Sequence, residues 1–131
     1  MISFYDIYDR IERELNRESR PMNCTSYYEP VPSEFPTVMV SEMEHHQAKG
    51  AIDLAFTDDQ LERYIEVQVV SNKWDGAPEE ARSIMAEVEA VMKRLYFIET
   101  FCGEIENIDP AVTRMSARFH RVFGGLDTLP T

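Results

Sequence analysis

Two adjacent histidines with nearby carboxylates are the first group whose residue types could bind a metal. His45 and His46 follow Glu42 and Glu44 in the stretch SEMEHHQ. Imidazole nitrogens and carboxylate oxygens are common ligands of zinc. Adjacent side chains of a strand point to opposite faces, however, so a strand end would separate the two imidazoles. A solvated hairpin tip accounts for the same residues, and we expect no metal site here.

A strand, a glycine-containing turn and a helix follow one another between Tyr64 and Ala81, which is also the outline of a phosphate-binding loop. Such a loop needs several glycines and usually a lysine and a serine or threonine. The turn NKWDGAP holds one glycine, and Glu79 and Glu80 would compete with a phosphate for the helix N-terminus. We therefore expect no nucleotide site and no bound cofactor.

The two cysteines and the third histidine offer no clear nucleophile and base. The spacing of Cys24 and Cys102 resembles neither a metal site nor a redox pair. We interpret both as small buried apolar residues, with Cys102 inert in an otherwise apolar strand. His120 lies between Arg118 and Arg121 on a polar strand face, and we interpret it as a surface or interface residue. No catalytic residue is predicted.

The helices that would position these residues follow from apolar spacing. A helix within residues 1–20 is predicted by apolar residues at three- and four-residue steps: Phe4, Ile7, Tyr8, Ile11 and Leu15. Ser3 and Asp6 form a capping-box variant at its start. A second helix begins near Pro78, and its apolar stripe is Ala81, Ile84, Met85, Val88, Val91, Met92 and Leu95. We expect this stripe to pack on Ile65, Val67 and Val69.

Strands are predicted at 37–44, 51–56 and 63–72, and one each within 96–108 and 111–125. Three prolines between residues 30 and 36 predict an extended surface connection before them. The fold class is therefore α+β, a single antiparallel sheet of about five strands covered by two helices in the order α-β-β-β-α-β-β. One domain is predicted for residues 1–131, with the sheet and second helix in 37–123 and a flexible tail in 124–131.

The charge of the chain excludes several classes of partner. Its 131 residues carry a net charge of −11, which repels phosphate backbones and anionic membrane surfaces. The N-terminal stretch is charged throughout, unlike a signal peptide. No apolar run approaches the roughly 20 residues needed to span a bilayer. A reducing cytoplasm is the compartment that these features favour.

The stretch EVQVVSNKWDGAPEEARSIMAEVEAVM resembles the strand–SN–turn–helix block of phage tail terminator proteins. These are tail completion or minor capsid proteins of phages and prophages of Gram-positive bacteria. A segment like FPTVMVSEME precedes that block in the family, and a closing strand like TRMSARFHRVF follows it. The likeness covers about residues 3–123 in the same order. The turn NKWDGAP, with its Trp and Pro, and the turn EHHQ depart from the family pattern.

The resemblance implies a virion structural protein without an active site. Such proteins form a ring, usually hexameric, at the head-proximal end of the tail tube, after assembly in the host cytoplasm. Their partners are copies of themselves, the major tail tube protein and the neck or head–tail connector proteins. DNA passes through the lumen without sequence-specific binding. The alternatives are another head–tail joining protein, an acidic adaptor or DNA mimic that binds a basic host protein, and a small enzyme using a histidine.

Ring contacts would come from edges, turns and the outer sheet face, since the helices occupy the other face. Trp74 is the sharpest candidate because a large aromatic in a polar turn is common in interface hot spots. An equal alternative is that Trp74 covers the end of the second helix within its own subunit. The predicted assembly residues are His45, His46, Lys49, Trp74, Asp75, Arg114, Arg118 and His120.

Overall fold

Two helices and one five-stranded sheet make up the fold. The computed structural model describes residues 2–16, 22–47, 61–107, 109–124 and 127–130. The elements in chain order are α1 (Phe4–Asn16), β1 (Asn23–Thr25), β2 (Thr37–Gln47), β3 (Leu61–Ser71), α2 (Ala77–Arg94), β4 (Ile98–Ile105) and β5 (Thr113–Phe123). The sheet is open, with strand order β1-β2-β3-β5-β4. The predicted α+β class and the element order α-β-β-β-α-β-β are confirmed.

The sheet differs from the predicted one in its first strand. β1 arises in the segment that was expected only to connect, ahead of the three prolines, and it pairs parallel with β2 from Asn23 opposite Thr37. The pairs β2–β3, β3–β5 and β4–β5 are antiparallel, as predicted. The strand predicted at 51–56 lies outside the described residues, as does Lys49.

The start of α1 has the predicted reciprocal cap. The backbone N–H of Ser3 donates to Asp6 Oδ2 at 2.9 Å, and the backbone N–H of Asp6 donates to Ser3 Oγ at 3.2 Å. The backbone hydrogen bond from Ser3 holds the pKa of the Asp6 carboxyl below its ordinary value. The sequence pattern therefore specified both the first turn of α1 and the way its free N–H groups are satisfied.

α2 begins after Gly76, whose φ of 101° lies in the left-handed region that glycine adopts without strain. Acidic residues occupy its first turn and basic residues its last, as the helix dipole favours. Neither α2 nor α1 has the length and hydrophobicity to cross a membrane, and this holds for the described residues only.

The core lies between the helices and one face of the sheet. Strand register places Val40, Val67 and Ala117 side by side on this face, and all three are buried. From α2 the core receives Ala81, Ile84, Met85, Val88, Val91 and Met92, and from α1 it receives Ile7, Ile11 and Leu15. The predicted packing of the α2 stripe on Ile65, Val67 and Val69 is confirmed.

The opposite face, called the outer face below, is contacted at one end by the proline-containing segment 26–36, where Arg114 donates to the carbonyl oxygen of Pro30 and the N–H of Glu29 donates to Met39 Sδ. Arg114 is 4% exposed there and Ser116 is 2% exposed. The polar face of β5, predicted as a contact surface, is therefore closed to a partner at these two positions. Arg118, two residues further along β5, is exposed.

The described part of the C-terminal tail touches the domain. The backbone N–H of Gly124 donates to Asp127 Oδ2 at 2.7 Å, and Arg121 Nη2 lies 3.9 Å from the same oxygen. Leu129 packs against the core cluster. The flexibility predicted for residues 124–131 stays a prediction, although these contacts hold part of the tail against the sheet.

Candidate assembly interface

The end of the outer face away from segment 26–36 presents two rows of side chains across three strands. Strand register aligns Tyr64, His120 and Ile98 in one row. It aligns Glu66, Arg118 and Phe101 in the next row. Since β3, β5 and β4 lie side by side, each row runs from the middle of the sheet to its edge. The surface is polar in the middle and apolar at the edge.

His120 is held by a carboxylate and an aromatic ring. Its Nε2 lies 2.6 Å from Glu62 Oε1, and its ring stacks on Tyr64 with 4.8 Å between the centroids. Arg121 is on the other side of the strand, where it donates to the carbonyl oxygen of Leu95 at 2.7 Å. Arg121, which directly follows His120 in the sequence, is therefore not one of its contacts, because adjacent residues of a strand point to opposite faces.

No Cys–His pair forms in the part of the chain that is described. Cys24 is paired with Val38 and Cys102 with Ala117, which places both thiols on the helix side of the sheet. His120 lies on the outer face, so the sheet separates its imidazole from either sulfur. Among the described side chains, neither cysteine therefore has the histidine partner that a nucleophilic Cys–His pair requires.

Arg118 links the polar middle of the surface to its apolar edge. Its Nε donates to Glu66 Oε2 at 3.2 Å, and its guanidinium lies 5.6 Å from the ring centroid of Phe101. Ser116 Oγ donates to the same carboxylate oxygen at 3.1 Å. Around this network Ile98 is 63% exposed, Phe101 43% and Val122 40%. These apolar side chains form an exposed patch, called the edge patch below.

Trp74 lies far from the edge patch, in the turn between β3 and α2. β3 ends at Ser71, which pairs with the first residue of β5, whereas Val122 lies at the other end of β5. The Trp74 side chain is 99% exposed, so it does not cover the end of α2. The alternative role within its own subunit is therefore wrong for this structure. Asp75 is exposed beside it.

Two depressions flank the Trp74 turn. One, of about 730 Å³, lies at the N-terminus of α2 and is lined by Lys73, Asp75, Gly76, Pro78, Glu79, Glu80 and Ser83. Its carboxylates would repel a phosphate, as expected from the positions of Glu79 and Glu80 in the sequence. The other, of about 390 Å³, is lined by apolar residues of segment 26–36 together with Asn72, Asn107 and the loop before β5. The neighbours of Trp74 in the sequence line these depressions, whereas Trp74 itself lines neither.

No protein-family model matches the chain, and no curated protein matches it.

The predicted assembly residues fall into separate places. Arg118 and His120 are neighbours on the outer face, whereas Trp74 and Asp75 lie at the end of the sheet. The backbones of His45 and His46 pair with Arg63 and Glu62, next to the row that holds His120, and their side chains lie outside the described part.

Arg114 is enclosed within its own chain rather than offered to a partner. Its guanidinium donates to Pro30 O at 2.8 Å, to Gln68 Oε1 at 2.7 Å and to Asn107 Oδ1 at 3.1 Å. The Tyr28 ring lies 5.6 Å from it. Arg114 is therefore left out of the proposed interface, since its three nitrogens donate to β3, to segment 26–36 and to the loop before β5 within its own chain.

Sequence reasoning missed a group of three side chains where α2 meets β4. Ligand atoms of Glu89, Glu99 and Cys102 all lie within 4.8 Å of one another. The hydrogen bond with Glu89 raises the pKa of the Glu99 carboxyl to about 7. No spacing in the sequence signals the group, because it depends on where the helix crosses the strand.

The interpretation of both cysteines as buried residues fits Cys24 better than Cys102. Cys24 is half-buried against the core, and burial raises the pKa of its thiol to about 12. Cys102 is exposed, which corrects the expectation that it is buried. The reason is that β4 is the last strand of the sheet and most of its length is exposed. Partial burial and the nearby carboxylates of Glu89 and Glu99 still raise the pKa of the Cys102 thiol.

Proposed function

We propose that this chain is a structural subunit of a phage tail, which forms a ring at the head-proximal end of the tail tube and terminates its polymerisation. The sequence resemblance over residues 3–123 supports the tail assignment. The exposed indole of Trp74 supports assembly and is the observation that carries the proposal. The partners are copies of the chain, the tail tube protein and the neck, and the location is the virion.

An exposed tryptophan is costly in a protein that stays alone. Trp buries roughly 150–250 Å² when it is covered, and apolar area contributes about 25 cal/mol per Å². Covering Trp74 would therefore stabilise a contact by several kcal/mol before the entropy of association is subtracted. Tryptophan is also enriched among the residues that dominate interface energies. A subunit contact is the use of Trp74 that these magnitudes favour.

A ring needs two different contact surfaces on each subunit. A two-fold dimer uses one surface twice, whereas a heterologous contact joins one patch to a different patch and closes when the rotation allows. The Trp74 turn and the edge patch are two such surfaces at different ends of the sheet. This separation favours a ring over an isolated two-fold dimer.

The charge is compatible with passage of DNA. At a net charge of −11 for each subunit, a ring would surround its lumen with many carboxylates. Like charge prevents phosphate backbones from adhering to the wall. This electrostatic argument supports a conduit and disfavours a ring that grips DNA.

The test is Trp74→Ala, with Tyr5→Ala as the matched control. Tyr5 is another exposed aromatic, on α1 and away from both proposed surfaces. We expect both variants to keep the unfolding free energy within about 0.5 kcal/mol, as for most surface substitutions. Only Trp74→Ala should fail to form rings with the tail tube protein and leave tails of uncontrolled length. Rings and lengths are read by electron microscopy of assembled tails.

Other outcomes would contradict the proposal in different ways. Normal rings and normal tails with Trp74→Ala would refute the Trp74 contact. Tails of normal length that do not attach to heads, in a phage lacking this protein, would indicate a neck protein instead. Failure of the wild-type chain to assemble with its own tail tube protein would refute the terminator function itself. A monomer in solution is compatible with a ring that closes only on the tube.

A further inference from the structure

We propose that the free edge of β4, from Phe101 to Ile105, binds an extended segment of another protein in which apolar and basic residues alternate. The proposal concerns the partner chemistry of one sheet edge. It does not depend on the chain being a tail subunit, although a tail partner could supply such a segment.

The edge of β4 is open and regular over five residues. β4 is the last strand of the sheet, and β5 is its only strand neighbour in the described ranges. The register shift between Glu99 and Phe101 disturbs pairing before this stretch. From Phe101 opposite Arg118 to Ile105 opposite Arg114 the register is continuous. A regular strand edge has a row of N–H and C=O groups that an extended peptide can pair with.

The outer side of this edge is apolar. Phe101, Gly103 and Ile105 alternate toward the outer face because their β5 partners lie there. A Cβ atom at Gly103 would lie 3.4 Å from Cζ of Phe101, so the aromatic ring extends across the glycine. The ring is partly exposed and forms an apolar shelf beside the open backbone. Every second side chain of an added strand would rest on this shelf, which favours apolar residues there.

The helix side of the same edge is acidic. Glu104 and Cys102 point to this side, and Glu99 and Glu89 lie next to Cys102. Arg82 of α2 lies 3.7 Å from Glu104, but both side chains are at least half exposed, so this ion pair is weak. A lysine or arginine on this side of an added strand would lie next to the carboxylates of β4. The alternate residues of the partner are therefore basic, and the net charge of −11 adds long-range attraction.

A second copy of β4 does not fit this edge. If two β4 strands paired antiparallel about Gly103, the middle of the stretch, Glu104 of each copy would lie diagonally across from Glu104 of the other. Like charges on neighbouring positions of a strand pair repel each other, which disfavours this arrangement. The opposite edge of the sheet, β1, has only three residues and offers little length for pairing. A foreign basic and apolar segment fits better than either self-pairing or pairing at β1.

The test uses three synthetic heptapeptides with the isolated chain. The first alternates valine and lysine, the second has the same composition with the valines and lysines in two blocks, and the third is the alternating peptide with an N-methyl group on every backbone nitrogen. Binding is measured by titration, and backbone amide exchange locates it. We expect only the first peptide to bind and to slow amide exchange between Phe101 and Ile105.

Charge-reversal variants separate recognition from general attraction. Glu104→Lys should lower the affinity for the alternating peptide about fivefold or more, which corresponds to roughly 1 kcal/mol of binding free energy. Glu44→Lys makes the same charge change at an exposed position on β2, which β3 and β5 separate from β4, and should change affinity less than about twofold.

Each other result overturns the inference. Equal loss in the two variants, or equal binding of the block peptide, would mean unspecific attraction to an acidic chain. Retained binding of the N-methylated peptide would mean that the strand edge is not used, and so would amide protection outside β4. Absence of binding by the alternating peptide would refute the site. These results concern the isolated chain, so they leave the ring proposal to its own test.

Discussion

The Nη2 atom of Arg114 donates a hydrogen bond of 2.8 Å to the carbonyl oxygen of Pro30, 84 residues away in the sequence. The bond ties the segment that precedes β2 to β5. A second nitrogen of the same guanidinium donates to Gln68, so one buried cation connects β3, β5 and segment 26–36. This connection holds segment 26–36 against one end of the outer face.

Arg114→Met should therefore destabilise the chain by about 3 kcal/mol, because buried carbonyl and amide oxygens lose a charged donor. Arg118→Met is the matched control, since Arg118 lies on the same strand and face with half of its side chain exposed. Its loss should cost no more than about 1 kcal/mol. Urea unfolding measures both. Equal losses of unfolding free energy in the two variants would contradict the role of Arg114 in holding segment 26–36 against the sheet.

Val88→Asp should lower the unfolding free energy by about 4 kcal/mol. Val88 is completely buried between α2 and the sheet, where a carboxylate would have no partner to offset its desolvation. Ala90→Asp, at an exposed position of the same helix, should cost less than about 1 kcal/mol. Thermal melting of both variants is the measurement. An unchanged melting temperature for Val88→Asp would refute the packing described above.

The carboxyl pair of Glu89 and Glu99 should make stability depend on pH. The pKa of Glu99 is raised from 4.5 to about 7, so the folded chain holds a proton that the unfolded chain releases. The stabilisation is complete below pH 4.5 and is lost as pH rises through 7. Since Glu99 is largely exposed, screening limits it to roughly 1 kcal/mol.

Glu99→Gln is the matched variant for this effect. A glutamine amide donates to Glu89 at every pH, so the part of the pH dependence that comes from the pair should disappear. Urea unfolding at pH 5 and pH 8 should show a smaller difference for Glu99→Gln than for the wild-type chain. An equal difference in the two proteins would show that the shared proton does not contribute.

Metal analysis of untagged protein should find no stoichiometric zinc or manganese. The candidate ligands are Glu89, Glu99 and Cys102. The pKa values of Glu99 and Cys102 are raised, so protons on these two groups compete with a cation. His45→Ala combined with His46→Ala should bind no less metal than the wild-type chain and keep its fold. Stoichiometric metal that this double variant loses would overturn both expectations.

Local patterns predicted the elements of this fold well. The spacing of Ile84, Val88 and Val91 specifies one buried helix face whatever the helix packs on, because a helix brings residues three and four apart together. The cap of Ser3 on Asp6 involves residues three apart, so it too could be derived from the sequence. The alternation around Val67 likewise specified which side of β3 faces the core.

Relations between distant segments were decided only by the tertiary structure. The alternation in β5 showed that Arg114 and Arg118 share a face, but not that segment 26–36 covers one and leaves the other exposed. Strand order placed β4 at the edge, which exposed Cys102 and left one side of the β4 backbone without a neighbouring strand among the described residues. Likewise, the sequence suggested Trp74 for an interface or for a cap of α2 with equal weight. Its 99% exposure separated these roles, because burial depends on what the rest of the chain brings to the turn.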